Sequence, residues 1–364
     1  MKKRGPLRDQ PRVTPSEWKV MVAATRAWSI RELARISGLP VSTVHRTLGK
    51  LAEKVKICPL FDFRRINLLP VFIIFPRLDI KKAPPFTFSI RDIYNIGGAY
   101  TLVGGLVPVP YVDRYVESFE EEPLLVVRGY EWLRWHPEGG LSEYLSDEEC
   151  VSPVFDFGSA RKMYDYPLEV WSGDLRAPDI YDLILIQGRM HNAFARPLKV
   201  YRAARKMHPH LPEVSEQVLS YHFNRHVKSL WRGNALILLM AVQRVPVRVF
   251  YFKGRDAPVF ARLLSQLPGA FSATIDVDEA LVVGQFPCSY DENVMREAAS
   301  FDLEMPYGYF VQSSSDLKCA RPCFWLWVEE GKWVFNEEMR VPIVKVQVDL
   351  PSESSADPPH RRKT

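Results

Sequence analysis

An approximate internal repeat constrains this chain more than any other feature of its sequence. Each half begins with a basic, helix-patterned segment, continues into apolar, strand-patterned segments, and then passes through a short helix into an aromatic-rich stretch. A chain of 364 residues is also too long for one ordinary hydrophobic core. The repeat therefore predicts two related units within one α+β protein.

The positive charge is concentrated in the two helix-patterned segments. Residues 1–56 carry 13 Lys/Arg against 4 Asp/Glu, and residues 189–232 carry 9 against 2, although the formal charge of the whole chain is only +5. The remainder is acidic overall, so two electropositive faces are expected, as in proteins that bind a polyanion. Charge alone leaves open the alternative of two solvated helix faces without a partner.

The first basic segment has the pattern of a three-helix DNA-binding unit. Ser16 is predicted to cap a first helix, Ser29 caps a second that ends at Gly38, and Val41 or Ser42 begins a third. Apolar residues recur at helical spacing on one side of the third helix, which leaves its polar side free to enter a major groove. The predicted DNA contacts of this unit are Arg31, Ser42, Thr43, His45, Arg46, Lys50 and Lys54.

The second basic segment repeats this pattern less clearly, because its turn at 208–212 contains prolines in place of a glycine. A degenerate copy that is kept for packing is an equal alternative to a second DNA-binding unit. Its predicted DNA contacts are Ser220, Asn224, Arg225 and Lys228. From residue 246 onward the strand and helix patterns alternate in the order βαββαβ, which predicts a ferredoxin-like unit.

The predicted fold class is α+β, with two winged helix-turn-helix domains that are each followed by a ferredoxin-like (βαββαβ) regulatory domain. The segments expected along the chain are a basic N-terminal arm (1–14), winged helix-turn-helix 1 (15–66), α+β regulatory-like domain 1 (67–135), an acidic and aromatic linker (136–178), helix-turn-helix 2 (179–245), ferredoxin-like domain 2 with C-terminal strands (246–350) and a disordered tail (351–364).

Three stretches, SIRELARISGLPVSTVHRTL at 29–48, LPVFII at 69–74 and IGGAYTLV at 96–103, resemble the leucine-responsive (Lrp/AsnC, feast/famine) regulator family in a tandemly duplicated, archaeal form. The resemblance implies a transcription factor whose α+β domains dimerise and bind small effectors. A duplicated chain would supply both halves as an intramolecular pseudo-dimer, with a homodimer as the alternative. Effector binding is left open, because Thr101 follows Tyr100 where the family has an acidic residue.

These patterns predict a sequence-specific, non-enzymatic, DNA-binding transcriptional regulator. Its expected partner is double-stranded DNA, contact with the RNA polymerase machinery and an effector site are left open, and no cofactor is expected. No apolar stretch approaches the roughly 18 residues that a membrane helix needs. The five cysteines are scattered, which indicates a reducing, cytoplasmic compartment.

Two alternatives remain open at this point. One is a protein-docking module of the transcription machinery, which would use its winged helices without DNA. The other is a tetrapyrrole enzyme, because siroheme decarboxylases resemble the same two-halved architecture and use histidine and arginine; His222, Arg225 and His226 are then the candidate residues. No metal site is expected, because neither His222 with His226 nor Cys319 with Cys323 has further ligands at matching spacing.

Overall fold

A computed structural model describes residues 9–320 and 322–346 of the chain. Its helices are α1 (Pro15–Thr25), α2 (Ile30–Ser37), α3 (Val41–Leu51), α4 (Val112–Glu117), α5 (Phe157–Tyr164), α6 (Ile180–His191), α7 (Pro197–Met207), α8 (Glu216–Tyr221), α9 (Lys228–Leu230), α10 (Ala257–Ser265) and α11 (Asp291–Ala298). The tail predicted to be disordered, most of the basic arm and the side chain of Cys319 lie outside the described residues.

The strands are short except for four that form the middle of one large sheet. They are β1 (Val55–Phe61), β2 (Leu68–Pro76), β3 (Lys82–Ala83), β4 (Thr87–Asn95), β5 (Gly98–Pro108), β6 (Leu125–Arg128), β7 (Glu131–Leu133), β8 (Ser142–Leu145), β9 (Cys150–Pro153), β10 (Trp231–Leu238), β11 (Arg248–Lys253), β12 (Ala270–Ile275), β13 (Glu279–Gly284), β14 (Tyr309–Ala320), β15 (Val328–Glu329), β16 (Lys332–Trp333) and β17 (Val341–Val346).

Capping residues set the limits of the first helices. Thr14, not the predicted Ser16, caps α1: its hydroxyl accepts the Glu17 N–H at 3.3 Å, and the Glu17 carboxylate accepts the Thr14 N–H at 2.8 Å. Ser29 caps α2 as predicted. Gly38 ends α2 in the left-handed region at φ 64°, a conformation that glycine adopts without steric cost. These local signals produce the compact turn before α3.

The second helical unit departs from the single long third helix that the sequence predicts. Helix α8 runs into one π-helical segment, His222–Val227, and only then into the short α9. Each helical unit is followed by one strand, and these two strands, β1 and β10, pair with each other from Val55 opposite Leu238 to Phe61 opposite Trp231. The second winged helix-turn-helix domain therefore stays a prediction, because its strand is shared with the first unit.

The large sheet carries strands from both halves of the chain. Its order is β6-β2-β5-β4-β14-β11-β13-β12-β7, and the two end strands β6 and β7 are separated in sequence only by Gly129 and Tyr130. The sheet therefore curls back toward its own start. The second half follows the predicted βαββαβ order in β11, α10, β12, β13, α11 and β14. In the first half, the strand β3 lies where a crossover helix would be expected between the first two long strands.

Apolar residues of the two halves meet in three clusters. One cluster joins Phe72 and Leu102 of the first half to Val249 and Phe310 of the second, and so fills the inside of the curled sheet. Each of the other two clusters joins the helices of one half to the sheet of the other half. Helices α1–α3 pack with the second half of the sheet and α10, whereas α6–α8 pack with the first half of the sheet. Each helical unit thus covers the sheet contributed by the other half.

The acidic and aromatic segment 136–178 is built into the fold. It contains β8, β9 and α5, and the side chains of Phe157 and Trp171 are buried. Trp325 and Trp327 are buried and lie on a 3₁₀ helix, Phe324–Trp327. Within residues 9–320 and 322–346, no helix combines the length and the apolar character needed to cross a bilayer.

Candidate functional site

A cavity of about 810 Å³ lies where the shared β1–β10 pair, the β6–β7 connection and the end of α6 come together with Ala320, Pro322 and Phe324. This volume is within the usual range for small-molecule sites, which is about 300–1,000 Å³. Strands of both halves and a helix of the second unit contribute to its wall, so the cavity exists only when the two halves are assembled. Its residues come from widely separated parts of the sequence.

The wall of the cavity is strongly basic. Among the described residues, its cationic side chains are Lys56, Arg64, Arg91, Arg134 and Arg232. Its two carboxylates are already paired: Asp62 accepts from Arg232 at 2.5 Å, and Glu131 accepts from the buried Arg262 at 2.8 Å. Arg64 pairs with Glu169 at 2.5 Å, but both side chains are largely exposed, so this pair is weak. The cavity therefore favours an anionic ligand.

Aromatic rings cover much of the same wall. The ring of Trp132 lies 5.9 Å from Phe63 and 6.0 Å from Phe88, measured between ring centroids. The guanidinium of Arg134 stacks over the Trp132 ring at 4.6 Å, which holds that cation beside a flat apolar surface. The buried indole N–H of Trp132 donates to no acceptor among the described residues. Together, these groups suit a flat ligand that also carries acceptor oxygens.

The end of α6 supplies the imidazole of the cavity. Gln187, Met190 and His191 line it from this helix, and Gln187 is held in place by accepting the Phe324 N–H at 3.3 Å. Histidine is the side chain best suited to move a proton near neutral pH. The residues that the sequence offered for a tetrapyrrole enzyme, His222, Arg225 and His226, do not line this cavity.

The polar face of α3 is accessible. Val44 and Leu51 are buried against the other two helices of the unit, which turns the opposite face outward. Arg31, Ser42, His45, Arg46 and Lys50 are exposed, and Thr43 is half-buried. Lys54 is not on this face, because its ammonium group pairs with the buried Glu17 carboxylate at 2.9 Å. Five of the seven predicted residues thus lie on the accessible side of α3, and Arg31 is exposed on α2.

The second set of predicted DNA contacts is less uniform. Asn224, Arg225 and Lys228 are exposed, whereas Ser220 is half-buried. Its backbone carbonyl accepts the side-chain amide of Asn224 at 2.9 Å, so this amide already has a partner within the helix. The π-helical segment moves the third helix of this unit away from the regular geometry of α3.

A cluster of three side chains lies beside this second set. The carboxylate of Asp182 on α6 accepts from Nδ1 of His222 at 2.9 Å and from Nδ1 of His226 at 3.0 Å. Asp182 is buried, and desolvation raises its pKa against the lowering effect of the two imidazoles. The carboxylate thus ties α6 to the π-helical segment.

Comparison with known families supports the first helical unit. Residues 21–54 match the IclR helix-turn-helix domain. The predicted helix-turn-helix near the N-terminus is therefore confirmed. The matched family is not the leucine-responsive regulator family, so that resemblance, the tandem duplication of the domain and an archaeal origin stay predictions.

Two solved structures are similar to this chain, and both are of the siroheme decarboxylase NirDL. The first is 11% identical, with 82% of this chain and 91% of that chain covered and a TM-score of 0.42. The second, in co-complex with an iron-uroporphyrin III analogue, is 11% identical, with coverages of 88% and 93% and a TM-score of 0.41. None of the curated proteins compared with this sequence matches it.

The similar structures correct two expectations drawn from the sequence. Both are structures of an enzyme, so the prediction of a non-enzymatic, sequence-specific transcriptional regulator is wrong, and the tetrapyrrole-enzyme alternative is the one they favour. At this identity and TM-score, the likeness assigns no substrate and no residue to this chain.

The cavity residues were missed at the sequence level because no local motif connects them. Lys56 follows the helix-turn-helix, Arg134 lies 78 positions later, and Arg232 is the second residue of β10, the first strand of the second half. Asp182 gives a weak signal, since it is the one acid within the apolar run 180–186. Its pairing with the two histidines depends on tertiary packing, which spacing alone does not reveal.

Proposed function

We propose that the chain is an enzyme that binds a carboxylated tetrapyrrole in the basic, aromatic cavity and removes carboxyl groups from it as CO₂. The observation that carries the proposal is the convergence of basic side chains and aromatic rings on one cavity of about 810 Å³. Few small molecules are at once flat, wide, apolar on their faces and ringed by carboxylates. A tetrapyrrole with acetate or propionate side chains has all four properties.

Each part of the wall has a role in binding such a ligand. Arginine guanidinium groups pair with carboxylates in a planar, two-pronged geometry, so Arg64, Arg91 and Arg134 suit the ligand's edge. The rings of Phe63 and Trp132 suit its face. The carboxylates Asp62 and Glu131 are already paired with arginines, so they do not repel an anionic ligand at full strength.

The reaction needs little more than orientation and one proton. When the bond between a side-chain carbon and its carboxylate breaks, CO₂ leaves and the electron pair remains on the carbon, which then takes a proton. His191 is the cavity side chain placed to donate that proton, in the role of general acid. Loss of CO₂ is favoured for a carboxylate that lies against the aromatic part of the wall and is not paired with an arginine, because it is less well solvated there than in water.

The binding half of the proposal predicts that Arg134→Ala weakens tetrapyrrole binding. Loss of one charge-assisted contact is expected to raise the Kd by roughly 10- to 100-fold. The measurement is a titration of the purified chain with an iron-bound, carboxylated tetrapyrrole, followed through its Soret absorption. Arg202→Ala, which removes an exposed arginine of α7 outside the cavity, is the matched control and should leave the Kd unchanged. Equal affinity in both variants would place the binding site elsewhere.

A second candidate function, limited to binding, rests on the match of residues 21–54 to a helix-turn-helix domain. We infer that α3 presents Ser42, Thr43, His45, Arg46 and Lys50, flanked by Arg31, to duplex DNA. The face is accessible, and it carries donors for both phosphates and base edges. On this proposal Ser220, Asn224, Arg225 and Lys228 would contribute a second, weaker contact.

The binding candidate predicts that Arg46→Ala weakens association with duplex DNA and lowers the dependence of log affinity on log salt by about one phosphate contact. The measurement is fluorescence anisotropy with random-sequence duplexes over a range of low salt concentrations. Lys162→Ala removes an exposed cation of α5, outside both helical units, and serves as the control. A wild-type chain that gives no anisotropy change at the lowest salt concentration would end this candidate while leaving the cavity proposal intact.

A further inference from the structure

The Asp182–His222–His226 cluster has a donor set that is typical of transition-metal sites. Each of the three side chains offers one ligand atom, and these atoms lie within 4.8 Å of one another. Among the residues whose side chains the structure describes, no other group of three or more such residues has this geometry. The two imidazole rings are 5.0 Å apart between centroids and nearly perpendicular, so they approach the carboxylate from different sides.

The distances are close to those that a bound ion would require. Zn²⁺ binds histidine nitrogen at about 2.0–2.1 Å and carboxylate oxygen at about 2.0–2.2 Å, which places neighbouring ligand atoms of a tetrahedral site roughly 3.3 Å apart. The Nδ1–oxygen distances here are 2.9 Å to His222 and 3.0 Å to His226. These two nitrogen–oxygen distances would have to lengthen by only a few tenths of an ångström for an ion to enter between the atoms. The ring protons on the coordinating nitrogens would be released on binding.

Burial and charge around the cluster also suit a cation. The Asp182 side chain is only 8% exposed and His222 13%, whereas His226 is 41% exposed and leaves a path from solvent. A second carboxylate, that of Asp179, lies 4.0 Å from Nδ1 of His222 and is within reach of a fourth position. The carboxylate of Asp182 between two imidazoles, with the carboxylate of Asp179 nearby, makes this position attractive to a divalent cation.

The local backbone is arranged to bring the two histidines together. In a regular α-helix, residues four apart share one face, and here the turn that carries them is widened into a π-helix over His222–Val227. Such π-helical turns are rare and occur frequently at functional sites. This one directs both imidazoles to a single carboxylate on α6. One imidazole would be enough to hydrogen-bond this segment to α6.

We propose that Asp182, His222 and His226 bind one divalent transition-metal ion of the Zn²⁺ class, with Asp179 or water in the remaining position. Two nitrogens and one or two carboxylate oxygens are a common ligand set for Zn²⁺ and its neighbours in the first transition row. The ion would join α6 to the π-helical segment. Because the three ligands do not line the large cavity, the site is independent of the tetrapyrrole proposal and stabilises the second helical unit.

The test uses the purified full chain, stripped with a chelator and then loaded with Co²⁺ or Zn²⁺ alone. Co²⁺ reports its coordination directly through visible absorption, and elemental analysis after dialysis gives the stoichiometry. The expected results are one ion per chain, a visible Co²⁺ spectrum of a low-coordinate site with nitrogen and oxygen ligands, and a higher thermal unfolding temperature in the presence of metal. A wild-type chain that retains no ion, or shows only the spectrum of hydrated Co²⁺, overturns the proposal.

Variants locate the ion. His226→Asn removes the most exposed ligand and is expected to weaken metal binding at least tenfold without disturbing the core, with Asp182→Asn as a second, independent variant. His210→Ala is the control, because it removes an exposed histidine near His208 and Cys323, the nearest competing ligands. If His210→Ala abolishes binding while His226→Asn retains it, the ion belongs to that other group and the proposed site is wrong.

Discussion

Replacing His191 with alanine is expected to lower the rate of tetrapyrrole decarboxylation by about 10²- to 10⁴-fold, the usual contribution of a positioned general acid. The imidazole lies at the end of α6 in the wall of the basic cavity. Without it, the carbon that loses CO₂ must take its proton from solvent. Binding should change little, because the ligand's carboxylates are held by the arginines and its faces by the aromatic rings.

Single-turnover assays would separate the two effects. The chain is loaded with an iron-bound, carboxylated tetrapyrrole, and the loss of carboxyl groups is followed by mass spectrometry of the extracted product. In His191→Ala, the rate of this loss should fall while the Kd from Soret titration stays near the wild-type value. His210→Ala, which removes an exposed histidine outside the cavity, should have wild-type values of both. A normal rate in His191→Ala would assign the proton donor to another group.

Arg262→Ala is expected to lower the free energy of unfolding by about 3–5 kcal/mol, the usual loss when one partner of a buried ion pair is removed. The side chain of Arg262 is 1% exposed, and it donates to Glu131 at 2.8 Å and to the carbonyl oxygens of Tyr164 and Tyr166 at 3.0 and 2.7 Å. It also stacks over the Tyr166 ring at 3.8 Å. Alanine would leave a carboxylate and two carbonyls without their donor.

Chemical unfolding of the variant, followed by circular dichroism, would measure this loss. The double variant Arg262→Met with Glu131→Gln removes both charges while keeping most of the volume, and it should recover a large part of the stability. Arg255→Ala changes an exposed arginine just before α10, the helix that carries Arg262, and should alter the free energy of unfolding by less than about 0.5 kcal/mol. If Arg262→Ala unfolds like Arg255→Ala, the buried pair does not hold the 157–166 segment onto α10.

The parts of the fold that the sequence predicts best are those set by neighbouring residues. Ser29 and Gly38 mark the limits of α2 because capping and left-handed geometry depend on residue type at one position. The βαββαβ order of the second half is also legible, since strand and helix periods alternate there. The cap of α1 was misplaced because Thr14 and Ser16 are both good capping residues, and Pro15 fits only after the first of them.

The functional site could not be predicted in the same way. Arg64, Arg134 and His191 carry no shared motif, and they meet only because the two halves assemble around one cavity. The basic charge of residues 189–232 predicts a polyanion binder, and this prediction does not distinguish a nucleic acid from a carboxylated ligand. The proposed metal ligands are only partly predictable from the sequence: the spacing of His222 and His226 is local, whereas Asp182 reaches them across the helix packing.

The cross-over of helical units between the halves has a consequence for how the chain can be divided. Helices α1–α3 cover the sheet of the second half, and α6–α8 cover the sheet of the first half. In a fragment that ends in the middle of the chain, the apolar sides of the helices would therefore be exposed to solvent. Each fragment would also contain one strand of the β1–β10 pair without its partner, and so an unpaired strand edge. We therefore expect the two halves of the chain to fold only together. Cleavage of one peptide bond between them should be tolerated, whereas removal of either half should not.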